Sequence, residues 1–115
     1  MSRFMFEVSY TSDSWAAQVH THANVIDRIT PLVAKLGGTI DSVYYTFGDR
    51  DLVGLIDFPT QEDAAAFSLA ASAGGAVASI RTTPLLTVEQ GITAMTKAEA
   101  ASAVYTPAKG TPAHA

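Results

Sequence analysis

The sequence contains no cysteine and only three histidines among its 115 residues. Without cysteine there can be no disulfide, no thiolate nucleophile and no thiolate metal site. Two of the histidines, His20 and His22, stand two positions apart, a spacing that in a helix turns the side chains about 200° away from each other. We therefore expect no metal site, and interpret this pair as part of a solvated helix or loop surface.

Positive charge is scarce as well. Seven Lys and Arg residues against eleven Asp and Glu residues give a formal net charge of −4. No cluster of basic side chains could neutralise phosphates, so we expect no nucleic-acid partner. No apolar run approaches the length of a membrane span, and we expect no secretory signal at Met1 to Phe4, because a long apolar region and a cleavage site are lacking there. We expect a cytoplasmic protein without a membrane partner.

What the chain does have is a β-hairpin signal near its middle. A β-rich run over about residues 39–47 enters a short Gly/Asp-rich turn and leaves as the apolar run Leu52–Phe58. The second run is apolar at nearly every position, which is typical of a central strand covered on both faces. A helix follows almost without a linker, since Thr60 and Asp63 resemble a capping box.

The N-terminal segment, about residues 3–10, alternates in polarity. One face carries Phe4, Phe6, Val8 and Tyr10, and the other carries Met5, Glu7 and Ser9. A period of two predicts a strand with one face on the core.

The next segment, residues 12–36, is predicted to be mainly helical, with an apolar stripe of Ile26, Ile29, Leu32, Val33 and Leu36. Pro31 in a helix interior would cost about 3 kcal/mol. Two interpretations stay open. The main helix begins near Asp27, after a separate turn or short helix from Trp15 to His22, or a single helix is kinked. Gly37 ends the helix in either case.

The remaining elements complete a familiar order. The hairpin is followed by a helix that ends at Gly74-Gly75, a strand over about residues 76–83, and a helix from Thr87 to about Ala100. The order β-α-β-β-α-β predicts an α+β, ferredoxin-like sandwich, with a four-stranded antiparallel sheet in the order 4-1-3-2 and the main helices on one face. We expect one domain over residues 1–102 and a flexible tail over 103–115.

The helices cannot cover the second face of this sheet. The central strand stays apolar there, through either Leu52 and Ile56 or Val53 and Leu55. A second copy of the chain is the simplest cover, so we expect a homodimer or a higher homo-oligomer.

Several motifs in this order resemble the GYD domain family over roughly residues 3–95. They are Leu36-Gly37-Gly38, Phe47-Gly48-x-x-Asp51, Asp57-Phe58-Pro59, Gly75-Ala76-Val77 and Thr82-Thr83-Pro84-Leu85-Leu86-Thr87. One departure is that Asp49 and Arg50 stand between Gly48 and Asp51, so the Gly-Tyr-Asp triplet is not intact. The resemblance implies a ferredoxin-like domain of the dimeric α/β-barrel type. The family has no settled activity, so it implies no catalytic residue.

Five residues are candidates for a ligand site in a cleft between the second sheet face and its partner. Glu7, if covered by a subunit, suits general acid–base work, against the alternative of an ion pair with Arg81 or Lys35. Gly54 leaves a gap that a ligand could fill if it faces Glu7, or it allows close backbone packing. The other candidates are Tyr44 or Tyr45, one of which faces the cleft, and Arg81, which binds an anion or pairs with a carboxylate.

Two functions of different classes fit these features. The first is a small oligomeric binding or accessory protein whose cleft holds a small apolar or aromatic molecule. The second is an enzyme by analogy of fold: a cofactor-independent oxygenase, an isomerase or a haem-using enzyme. Haem use would need a histidine in the cleft, and all three histidines lie outside the predicted strands. We therefore favour binding, with no cofactor.

Overall fold

A computed structural model of the chain describes residues 1–108. The elements are β1 Ser2–Tyr10, α1 Ser12–Thr21, α2 Val25–Lys35, β2 Thr39–Tyr45, β3 Leu52–Phe58, α3 Gln61–Ala73, β4 Val77–Leu85 and α4 Val88–Ser102. They fall into two compact units, one from Met1 to Leu85 and one from Leu86 onward.

The first unit is a ferredoxin-like α+β fold. Its four strands form one antiparallel sheet in the order β2-β3-β1-β4, which confirms the predicted topology. Strand β4 lies at the edge of the sheet and runs to Leu85, two residues further than predicted. Pro84 is tolerated there because an edge strand need not donate every backbone N–H.

Helices α1 to α3 lie over one face of the sheet, called the helix face below. The core between the two layers is dominated by aromatic rings. Phe4, Phe6, Phe58 and Phe67 are almost completely buried, and their neighbouring ring centroids are 4.9 to 6.5 Å apart. The alternation of β1 thus places Phe4, Phe6 and Val8 on the core, as predicted.

The segment before β2 forms two helices and not one kinked helix. The side chain of Asn24 caps α2 by accepting hydrogen bonds from the backbone N–H groups of Ile26 and Asp27. This start lies two residues before the predicted one, so Pro31 falls inside α2. The prediction that a later helix start would spare α2 the cost of an interior proline was therefore wrong. Ile26, assigned to the buried stripe, is instead exposed beside this cap.

The motif residue Asp51 fastens the hairpin to the first strand. Its carboxylate accepts the backbone N–H of Tyr10 at 2.8 Å, and its own N–H donates to the carbonyl of Val8 at 2.8 Å. Carboxylate bonds to backbone N–H groups are charge-assisted and stronger than neutral ones. Asp51 therefore fixes the end of β1, where Tyr10 projects toward α1 and α2.

On the second face, one arginine bridges two acids. Arg3 contacts Asp57 at 2.9 Å and Asp41 at 3.1 Å. The hydrogen bond from Arg3 holds the pKa of the Asp57 carboxyl below its usual value. These are the ion pairs found within residues 1–108.

The second unit consists of α4 and its flanks. Thr87 and Gln90 form a capping box at the predicted start of this helix, with Thr87 accepting the Gln90 backbone N–H and the Gln90 side chain accepting the Thr87 N–H. No residue of α4 is buried, although Val88, Ile92 and Met95 follow one another at helical spacing.

The unit boundary at Leu85 falls inside the predicted single domain of residues 1–102, and that domain assignment stays a prediction. Of the predicted tail, residues 109–115 lie outside the described part of the chain.

Candidate functional site

Three of the predicted site residues lie in one row across the second face. Glu7 is opposite Val53 on one side and Arg81 on the other, and Val53 is opposite Tyr44. Glu7 is half-buried, whereas Arg81 and Tyr44 are exposed. Within residues 1–108 neither Glu7 nor Arg81 belongs to an ion pair, so the alternative in which Glu7 pairs with Arg81 or Lys35 is not seen there. That this row of Glu7, Arg81 and Tyr44, called the Glu7 row below, binds a ligand stays a prediction.

The other two predicted residues belong to the helix face. Gly54 is opposite Phe6 and Val43 and does not face Glu7, so that part of the site prediction was wrong. The reason is the register, which pairs Glu7 with Val53 and so turns Gly54 to the opposite side. Tyr45 is opposite Leu52, and its ring centroid lies 6.2 Å from that of Trp15.

A cavity of about 490 Å³ lies between the helix face and the three helices. Its floor is formed by strand residues that include Phe6, Val8, Gly54 and Ile80, and α2 contributes Ile29 and Leu32. The volume falls within the range of about 300–1,000 Å³ that is usual for small-molecule sites.

Small residues create this space. The first half of α3 packs tightly through Ala64 and Phe67, but its second half presents Ala70, Ala71 and Gly74 to the cavity. A Cβ atom built on Gly54 would find its nearest neighbour, Val43 Cγ2, at 3.8 Å. Gly54 therefore leaves room for a Cβ atom at ordinary contact distances, and it does not serve a close approach of two backbones. The Gly and Ala positions were visible in the sequence, but only the register shows that they share a face.

One end of the cavity is polar. The Nη2 atom of Arg28 donates to the hydroxyl of Tyr10 and to Oε1 of Gln18, both at 3.3 Å, and Nε2 of Gln18 donates to Oγ of Ser14 at 3.2 Å. All four residues line the cavity. Burial raises the pKa of the Tyr10 phenol above its ordinary value, against the lowering effect of the Arg28 guanidinium. Tyr10 is therefore a neutral hydroxyl at physiological pH.

The two described histidines, His20 and His22, do not form a site. His22 ends α1 in the left-handed conformation, with φ of 54°, and its N–H donates to the carbonyl of Gln18 at 2.8 Å. His20 is exposed on α1. Over residues 1–108 no three acidic or histidine side chains come together in a way that could hold a metal ion. Over the same residues, no helix has the length and apolarity needed to cross a membrane.

Comparison with known proteins gives three findings. The fold is similar to that of MtbAldR in its crystal structure, with a TM-score of 0.57 at 17% sequence identity, over 75% of this chain and 52% of that chain. The chain thus spans about half the length of MtbAldR, and at this identity the similarity concerns the fold alone. No curated protein matches the chain. Residues 4–103 match the GYD domain. The chain therefore belongs to the GYD domain family.

Proposed function

We propose that this protein binds a small, largely apolar or aromatic molecule in the cavity between the helix face and α1 to α3. The observation that carries the proposal is the cavity of about 490 Å³ itself. The cavity is open to solvent where the lining residues Thr21, Arg28 and Gly74 are exposed, so a ligand could enter from that side. A concave, largely apolar lining with a few polar groups at one end is typical of small-molecule sites.

Binding is favoured over catalysis by the chemistry of the lining. The described residues around the cavity include no carboxylate and no histidine. General acid–base catalysis normally uses such groups. Tyr10 and Arg28 can orient a ligand through hydrogen bonds, but they do not form an acid–base pair suited to neutral pH.

Filling the cavity from the sheet side should separate binding from stability. A Cβ atom at position 54 fits at ordinary contact distances, with Val43 Cγ2 nearest at 3.8 Å, and the two methyl groups of valine would take up space on the floor of the cavity. We expect Gly54→Val to weaken binding of decan-1-ol, measured by titration calorimetry, at least about tenfold, which corresponds to about 1.4 kcal/mol. Thermodynamic stability should stay equal or rise by about 0.5–1 kcal/mol, since glycine is unfavourable inside a strand.

The matched control is Gly48→Val, in the hairpin turn, where an added Cβ has nothing within 4 Å. It should leave decan-1-ol binding unchanged. Failure of the wild-type protein to bind decan-1-ol, together with native mass spectra free of any copurified small molecule, would contradict the proposal. So would equal binding by wild type and Gly54→Val.

We further propose that the protein works as a homodimer in which a second copy packs on the second face. Met5, Val53 and Leu55 are half-buried neighbours there in the strand register. A stable interface buries about 800 Å² per partner. Such an assembly would turn the Glu7 row into the intersubunit cleft expected from the sequence. The exposed apolar residues of α4 independently suggest that the chain buries further surface on assembly.

Sedimentation should test this assembly. We expect a dimer at micromolar concentration for the wild-type chain and a folded monomer for Leu55→Arg, because an unpaired guanidinium would be buried in the interface. The control is Leu69→Arg on α3, where the leucine is 71% exposed, and this variant should stay dimeric. A monomeric wild type would contradict the dimer, and a dimeric Leu55→Arg would contradict its location.

A further inference from the structure

We infer that the ligand of the cavity is an organic anion, a monocarboxylate with an apolar or aromatic tail, whose carboxylate is bound by Arg28. This inference rests on the proposed function and specifies the class of ligand. Its starting point is the contrast between the two parts of the cavity. The body is lined by aliphatic and aromatic side chains, whereas Arg28 is the one charged residue among the described lining residues.

Arg28 is exposed at the polar end of the cavity, and its charge is not matched by an acid. Within residues 1–108 the ion pairs are those of Arg3, so the Arg28 guanidinium has no carboxylate within 4 Å there. Its recorded acceptors are two neutral oxygens, on Tyr10 and Gln18, both at 3.3 Å. Charge-assisted hydrogen bonds are usually about 2.7–2.9 Å long. The present contacts are therefore longer than those an anion would provide.

The guanidinium also has unused hydrogen-bonding capacity. It carries five N–H donors in a planar fork, which matches the two oxygens of a carboxylate. Only Nη2 donates to an acceptor in the described part of the chain. Tyr10 can add a second donor, because its hydroxyl lies beside Nη2 and is neutral at physiological pH. One anionic head group could thus receive bonds from both residues while its tail lies over Gly54.

The surrounding structure holds Arg28 at this position. Arg28 lies in the first turn of α2, which is capped by Asn24, and the Gln18 side chain that accepts from it is itself held by Ser14. Tyr10 is placed by the backbone bond to Asp51. These supports come from β1, α1, α2 and the hairpin and restrict the positions open to the two donors, which reduces the entropy lost when an anion binds.

Three ligands that share a ten-carbon chain test the inference: decanoate, decan-1-ol and decylammonium. We expect the wild-type protein to bind decanoate roughly tenfold to a hundredfold more tightly than decan-1-ol, the range that corresponds to a hydrogen bond with a charged group. Decylammonium should bind more weakly than decan-1-ol. Arg28→Gln should remove most of the preference for decanoate and leave binding of decan-1-ol nearly unchanged, and Arg28→Lys should restore part of it.

The control is Lys35→Gln, which removes one positive charge from the other end of α2 and should keep the decanoate preference. Thermal melting of each variant establishes that it is folded before binding is compared. Equal affinities of the wild type for decanoate and decan-1-ol, with both weakened by Gly54→Val, would overturn the carboxylate inference and leave the proposed function standing. Unaltered decanoate affinity in Arg28→Gln would also overturn it. Absence of binding by all three ligands would overturn both proposals.

Discussion

Replacing Phe58 with alanine is expected to destabilise the first unit by about 3–5 kcal/mol, the usual cost of truncating a buried aromatic side chain. The Phe58 side chain is fully buried at 0% exposure. Its ring centroid lies 5.6 to 6.4 Å from those of Phe4, Phe6 and Phe67. These neighbours are fixed in β1 and α3, so they cannot collapse fully into the space that the ring leaves. Since small domains are stable by only about 5–15 kcal/mol, a large part of the total would be lost.

The measurement is the free energy of unfolding from urea titration, followed by far-ultraviolet circular dichroism. Phe47→Ala is the matched control, because that side chain is 102% exposed at the hairpin turn. Its effect should stay within about 0.5 kcal/mol, as is usual for surface substitutions. A loss of less than about 1 kcal/mol for Phe58→Ala would mean that the aromatic cluster is not the stability-determining core assigned to it.

The parts of this fold that sequence predicts are those governed by local periodicity and short connections. The alternation of β1 identified its buried face, and the capping residues Thr60 and Thr87 located the starts of α3 and α4. The strand order followed because the connections are too short for many alternatives. These predictions depend only on residues that are close together in the sequence.

The sequence could not predict in the same way which side chains of β3 lie on each face of the sheet. This strand is apolar on both faces, so its side-chain pattern does not distinguish them, whereas β1 is plainly two-sided. The register alone decides, and it pairs Phe6 with Gly54. For that reason Gly54 was assigned to the wrong face. Strand β2 ends at Tyr45, two residues before the predicted end, and Phe47 therefore lies exposed in the hairpin turn.

The polar end of the cavity was missed for another reason. Its parts come from β1, α1 and α2, and they meet only because the chain between residues 12 and 36 folds as two helices joined at His22 and Asn24. Nothing in the sequence distinguishes Arg28, because a single arginine in an amphipathic helix is usually solvated, and Arg28 is exposed in the structure as well. The small residues Gly54, Ala70, Ala71 and Gly74 are visible in the sequence, but only the register shows that they share the helix face.

A single methyl group at position 38 should also damage the fold, although it enlarges the side chain only from glycine to alanine. A Cβ atom built on Gly38 lies 2.7 Å from both Cδ1 and Cε1 of Phe58 and 2.8 Å from the carbonyl oxygen of Asp57. Distances below 3.0 Å require something to move. The obstacles are a ring in the core and the backbone of a central strand, so movement is costly.

We expect Gly38→Ala to lower the free energy of unfolding by about 1–3 kcal/mol, the typical cost of overpacking a well-packed site. The sign is informative, because glycine-to-alanine changes usually stabilise by about 0.4–1 kcal/mol where the backbone and space allow them. Gly48→Ala supplies that comparison, since an added Cβ there has nothing within 4 Å, and it should be neutral or slightly stabilising. The measurement is the urea concentration at the unfolding midpoint, compared among Gly38→Ala, Gly48→Ala and the wild type. If Gly38→Ala proves as stable as Gly48→Ala, the close approach of the loop before β2 to Phe58 is absent in solution. Phe58 would then not be tightly packed against position 38.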